Sequence, residues 1–172
     1  MSRLGDLIAD SSSQMDDAQA RSDRVAVVKI LDDYRRAVRE VKNPVMDIKD
    51  ELAAWARGKG RVRMDLLLVS AAIHPDLIFL DELCMLLSEK RSDVPDEMIV
   101  DILYEIPHPK AVSSLAQAIQ RKYDYDIYDE FNIKCLETLA EIGTPEAYAV
   151  IEHAMTSSSD RVRKRARELR DR

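Results

Sequence analysis

Apolar residues at Ala18, Val25, Val28, Leu31, Tyr34, Val38 and Val41 recur every three to four positions, which predicts one helical face on a segment ending near Lys42. Its start is open. Ser13 with Asp16 has the spacing of a capping box, whereas Ser22 followed by Asp23 equally begins the regular part and leaves Ala9 to Gln19 loosely ordered. Residues 1–21 are therefore expected to be a partly disordered or frayed leader. Asn43-Pro44 breaks the pattern, and Val45, Ile48, Leu52 and Trp55 mark a second helix closed by Gly58 and Gly60, so that residues 22–59 form a helical hairpin. Further helices are predicted from Arg61 to Ile73, Pro75 to Glu89, Pro95 to Ile106, Pro109 to Arg121, Asp129 to Ile142, Pro145 to Thr156, and Ser159 to the C-terminus. Nine helices with short joints leave no room for a sheet. The fold class is all-α.

An internal repeat refines this. Superimposing Pro75, Pro109 and Pro145, offset by 34 and 36 residues, brings three apolar ladders into register. Val69, Leu103 and Leu139 stand six residues before the proline; Ala72, Ile106 and Ile142 three before; Leu77, Ala111 and Ala147 two after. Each unit reads helix, short turn, proline, helix, with the proline where a missing N–H costs nothing. A helical hairpin cannot bury both faces alone, so such units stack.

The third unit carries Phe131, Cys135, Leu139, then Ile142-Gly143-Thr144-Pro145-Glu146-Ala147 and Val150-Ile151, followed by Asp160-Arg161-Val162-Arg163 and Ala166. This resembles the HEAT repeat, particularly the short HEAT-like class of phycobilin lyases, best over residues 130–172 and more weakly back to about residue 60. Ile73 and Pro107 stand where that pattern has a turn glycine, and the period is shorter than the ~40 to 47 residues of full-length HEAT repeats. A tetratricopeptide array shares the shorter period but needs a small residue where Met85, Ile119 and Met155 stand. The resemblance implies a right-handed α-solenoid of stacked antiparallel hairpins. The chain is thus read as one domain, residues 1–172, with three HEAT-like repeats and a C-terminal capping helix over 60–172.

Composition agrees with this and limits the partners. The 172 residues include only 4 Gly and 6 Pro, and 26 Lys and Arg face 32 Asp and Glu, a formal net charge of −6. A surface of that sign disfavours acidic partners and generic phosphate-backbone binding. The first 14 residues lack the apolar stretch of a secretory signal, and the longest apolar run, Leu66 to Ile73, falls far short of the ~20 residues that span a bilayer. A cytoplasmic protein without membrane attachment is expected, with Cys84 and Cys135 as buried free thiols.

Chemistry is sparse. His74 and His108 occupy the same turn position in successive repeats, but neighbouring helices lie ~8 to 10 Å apart, too far for two nitrogens on one zinc. Both are expected to help cap helices, with His153 a surface residue. The chain has no His-Glu dipeptide of the kind used by iron-binding HEAT hydroxylases, no Gly-rich phosphate loop, and no nucleophile–His spacing. No catalytic residue, metal or cofactor is assigned.

The most unusual segment is Arg121-Lys122-Tyr123-Asp124-Tyr125-Asp126-Ile127-Tyr128-Asp129-Glu130, where three of the six Tyr and four acids fall within eight positions. Tyrosine gives rigid amphipathic contact area, and carboxylates steer a basic partner. Asp124, Asp126 and Asp129 also have calcium-like spacing, without the turn Gly and distal Glu of a calcium loop. In curved helical arrays the second helix of each unit lines the concave face; its outward positions here are Asp81, Glu82, Gln117, Gln120, Tyr148 and Glu152. The last helix carries seven basic residues, leaving residues 1–159 at −10. The expectation is a non-catalytic protein that grips a basic protein partner through the tyrosine loop and the second-helix face. In size and acidity it looks like bacterial immunity or inhibitor proteins that occlude a toxin. Two alternatives stay open: a phycobilin-lyase-like or chaperone-like handler of a bound ligand, which predicts a deep pocket with a buried polar group, and nucleic-acid binding through the basic C-terminal helix, involving Arg163 and Arg167.

Overall fold

A computed structural model describes residues 3–171. Met1 and Ser2 of the expected leader, and Arg172 at the end of the basic helix, lie outside the described residues. The described chain is all-helical: α1 (Arg3–Ala20), α2 (Arg24–Arg39), α3 (Val45–Ala56), α4 (Met64–Ile73), α5 (Leu80–Glu89), α6 (Asp96–Glu105), α7 (Val112–Ala118), α8 (Glu130–Ile142), α9 (Pro145–Ala154) and α10 (Asp160–Arg170), with single 3₁₀ turns at Leu77–Phe79 and Pro109–Ala111. No strand occurs among the described residues. Contacts group into two compact units, one comprising residues up to Glu82 with Asp93–Pro95, the other Leu83–Ser92 with Asp96 onward.

In the first unit the leader differs from expectation, because its described part is a helix. Leu4, Ile8, Ser11, Met15 and Ala18 alternate spacings of four and three and are all buried, a continuous seam only one residue wide. Ser11 and Ala18 keep its mean hydropathy low, which is why the seam is weak in the sequence. Helix α1 packs on α2 and touches α3 and α4. Between α1 and α2 the chain turns at Ser22, whose φ of 56° is left-handed, and Asp23 caps α2 by accepting from Ala26 N–H at 2.9 Å. Of the two predicted starts, the structure has this one. The break resets the helical phase, so Val25 and Val28, predicted on the buried face, are 81% and 60% exposed, while Tyr34 and Val38 are buried.

Helix α4 is apolar on every side and sits at the centre of this unit, with Leu66 to Ala71 buried. Tyr34 reaches it, donating to Leu66 O at 3.1 Å and lying 2.6 Å from Ser70 Oγ. Gly58 at the end of α3 has a φ of 67°, and Lys59 N–H closes back on Ala54 O at 2.8 Å, a left-handed helix stop. Gly60 serves differently: the Trp55 indole lies where a β-carbon would stand.

Two of the three proline turns share one local backbone, in a register shifted from the proline match. Asp76 and His108, 32 positions apart, have φ/ψ of −147°/139° and −148°/139°, and each caps a 3₁₀ turn that runs into the next helix. Asp76 Oδ1 accepts from Ile78 N–H at 2.9 Å, and His108 Nδ1 from Lys110 N–H at 3.1 Å. Pro75 therefore corresponds to Pro107, and Phe79 to Ala111, both buried. In the proline-matched register Leu77 should be buried like Ala111, yet it is 54% exposed. Matching prolines by identity misled because the second turn carries two. The turn at Pro145 has no 3₁₀ segment: Gly143 ends α8 with φ 68°, and Thr144 caps α9 with Pro145 in its first position.

In the second unit α8 is central, packing against α6, α7, α9 and α10. Phe131, Cys135, Leu136 and Leu139 of α8 are buried, as are Ile99, Leu103, Leu115, Ile151, Val162 and Leu169 on the helices around it. Cys135 is a buried free thiol as expected, whereas Cys84 is only half-buried.

Candidate functional site

The segment from Arg121 to Asp129 joins α7 to α8 without regular structure, and it is held by a buried charge network. The Arg121 guanidinium, with 7% of its side chain exposed, donates to Asp96 Oδ2 at 2.6 Å, to Leu87 O, and to Ser88 O at 3.3 Å. These carbonyls belong to the end of α5, where positive charge is favoured. Asp96 lies in the first turn of α6, and its Oδ1 is the one sealed side-chain oxygen without a partner among the described residues. Asn132 donates to Ile119 O and to Arg121 O, tying the end of α7 to α8.

Tyr123, expected as a partner contact, is an anchor. Its hydroxyl donates to Asp96 Oδ2, its ring meets Phe131 edge-on with centroids 5.1 Å apart, and Tyr125 stacks at 5.3 Å on it. Burial and the Asp96 carboxylate push the Tyr123 hydroxyl far above its ordinary pKa. Most of the expected acidic field is also consumed internally. Asp126 accepts from Glu130 N–H at 2.8 Å and Phe131 N–H at 2.9 Å, capping α8. Asp129, left-handed at φ 55°, accepts from Ser159 Oγ at 2.6 Å, and Glu130 pairs with Arg161 at 2.7 Å. Of the four acids, Asp124 alone has no such role. A carboxylate beside the free N–H groups of a helix start satisfies them, which accounts for Asp126 at this position.

Beside the exposed Lys122 and Asp124, the loop leaves three large side chains in solvent: Tyr125, Ile127 and Tyr128 are 67%, 74% and 59% exposed. Arg161 lies over the Tyr128 ring, 5.4 Å from its centroid.

The residues of the expected second-helix face are divided between the two units. Asp81 and Glu82 belong to the first unit, where Glu82 is half-buried in an ion pair with Lys49, which also donates to Ile78 O. In the second unit Gln117 is exposed on α7, and Glu152 is bound by Arg170 at 2.6 Å. Gln120 lines a polar cavity of about 500 Å³ together with Asn132, His153 and Ser157 to Ser159. Tyr148 lines a different depression, of about 430 Å³, with Tyr104, Ala140 and Glu141. Tyr104, 44% exposed on α6, was missed by the sequence reading. An isolated tyrosine in an amphipathic helix carries no signal of the neighbours it will meet.

The basic helix α10 is largely neutralised by its own chain. Arg161, Arg163, Arg165 and Arg170 pair with Glu130, Asp160, Glu137 and Glu152 respectively. His108 caps a turn, His74 Nε2 lies 3.2 Å from Val38 O, and His153 is exposed on α9. No group of three or more metal-ligating side chains occurs among the described residues, and no described helix is long and apolar enough to cross a membrane. No protein-family model matches the chain, and comparison with curated proteins and with solved structures finds no significant match.

Proposed function

We propose that the protein is a non-catalytic binding module of HEAT-like helical hairpins that grips a basic protein partner, in the manner of a small acidic inhibitor or immunity protein. One observation carries this reading. The loop between α7 and α8 is pinned through Tyr123, Asp126, Asp129 and Glu130, yet it holds Tyr125, Ile127 and Tyr128 out in solvent. Such a tip exposes apolar area that a free protein gains nothing by showing, and a pinned loop loses little entropy on binding. The net charge of −6 supplies the sign of the partner, and the recurrence of the Asp76 and His108 turns supports the HEAT-like assignment. The pairing of four arginines on α10 with carboxylates argues against a phosphate-binding face there.

The test is affinity capture from the native cell with mass spectrometry, comparing wild type with the triple variant Tyr125→Ala, Ile127→Ala, Tyr128→Ala. Tyr123 is left intact because it anchors the loop. A single basic protein retained by the wild type and lost by the variant at unchanged helicity is the expected outcome. Recovery of the same proteins by both would refute the assignment of the tip.

A further inference from the structure

Two depressions on the second unit, of about 430 and 260 Å³, share Tyr104 and Glu137 and so form one groove along α8. Its floor is the half-buried Ala140, too small to fill the space between Tyr104 on α6 and Tyr148 on α9. Two phenol rings from separate helices thus line the same trough, with Leu169 of α10 closing its base.

The charge in the groove is one-sided. Lys134 is held by Asp101 at 2.9 Å, with Glu97 at 3.8 Å. Arg165 gives Nε and Nη2 to Glu137 Oε1 at 3.0 and 2.7 Å, and Nη1 to Glu168 at 3.0 Å. Both cations of the groove are therefore spoken for. Glu105 and Glu141, exposed at its two ends, have no ion pair among the described residues. The remaining field is negative.

We infer that this groove, lined by Tyr104, Tyr148, Glu105 and Glu141, docks an arginine side chain of a basic protein segment. The inference rests on the reading of the protein as a binder of a basic partner and adds where, and by which side chain, that partner is held. Arginine rather than lysine fits the chemistry. A planar guanidinium stacks on a phenol face and offers two parallel N–H groups to a carboxylate, whereas an ammonium is a more strongly hydrated point charge. The groove already accommodates one guanidinium of its own chain, that of Arg165, on the same carboxylate wall. Glu105 and Glu141 would receive the incoming charge.

The probe is a nona-arginine peptide, titrated by calorimetry and followed by amide chemical-shift changes in the labelled full-length protein, with nona-lysine as the control. The wild type should bind nona-arginine about tenfold more tightly than nona-lysine, with shifts on α6, α8 and α9. Tyr104→Leu with Tyr148→Leu should weaken nona-arginine about tenfold and erase that preference, the strength of two ordinary cation–π contacts. Glu105→Gln with Glu141→Gln, both at exposed positions, should weaken both peptides without altering the fold. Binding of nona-arginine with shifts confined to Tyr125, Ile127 and Tyr128, untouched by the Tyr104 and Tyr148 changes, would overturn the groove and leave the basic-partner reading intact. Equal binding of the two peptides also overturns the groove, as unspecific attraction. Failure of the wild type to bind either peptide removes both.

Discussion

Replacing Arg121 by Ala should be among the most destabilising single changes in the second unit. The guanidinium is 7% exposed and its partner carboxylate 5%, so the pair lies out of water. Its loss leaves the Asp96 charge buried, with Oδ1 already unpartnered and Oδ2 bonded to the Tyr123 hydroxyl alone. It also strips the Leu87 and Ser88 carbonyls of their donor. Breaking a buried pair from one side costs about 3 to 5 kcal/mol, a large share of the ~5 to 15 kcal/mol that stabilises an ordinary domain. The double change Arg121→Met with Asp96→Leu removes both charges and should return most of that loss, to within about 1 to 2 kcal/mol of wild type, because the desolvation penalty disappears with them. Urea unfolding by circular dichroism measures both values. Two local probes resolve where the loss falls: Trp55 fluorescence reports the first unit, and thiol reactivity of Cys135 the second. Cys135 suits this use, since burial pushes its thiol well above the ordinary range and keeps it unreactive until the unit opens. A cost below about 1 kcal/mol for Arg121→Ala, or a double variant as unstable as the single, would refute the reasoning.

Two further outcomes are expected. Asp126→Ala removes the acceptor of two backbone N–H groups at the start of α8 and should cost about 1 to 2 kcal/mol in urea unfolding, with Asp126→Asn recovering part of it. The Tyr34 hydroxyl, pushed up to about 12 by burial with help from Asp65, resists ionisation in the folded state. Its contribution is therefore complete below pH ~10 and is lost as pH rises from there towards 12, some 2 to 3 kcal/mol in all. Unfolding midpoints of wild type and Tyr34→Phe across that range, with tyrosinate absorbance, should show the alkaline loss shrink in the variant. At neutral pH the same variant should lose only about 1 kcal/mol, for its bonds to Leu66 O and Ser70.

The all-helical character and most helix positions could be read directly from the chain, because periodicity, proline and glycine act within a few residues. Asn43-Pro44, Gly58, Gly143 and the Thr144-Pro145 start behave as local chemistry demands. The leader was harder. A seam of Leu4, Ile8, Ser11, Met15 and Ala18 acquires meaning only when α2 covers it. The turns at Asp76 and His108 match in a register other than the proline match, since the choice between Pro107 and Pro109 depends on which residue is buried two or four positions later.

The tyrosine loop shows the limit most clearly. Its composition marked it as unusual, and Tyr125 and Tyr128 are exposed as expected. Which tyrosine would be consumed by Asp96, and which acids by Ser159 and Arg161, depends on residues 27 to 31 positions away. Helix class follows from interactions within one turn of the chain, which the sequence contains in full. The availability of a charge or a ring follows from what packs beside it, and that is decided only when distant helices meet.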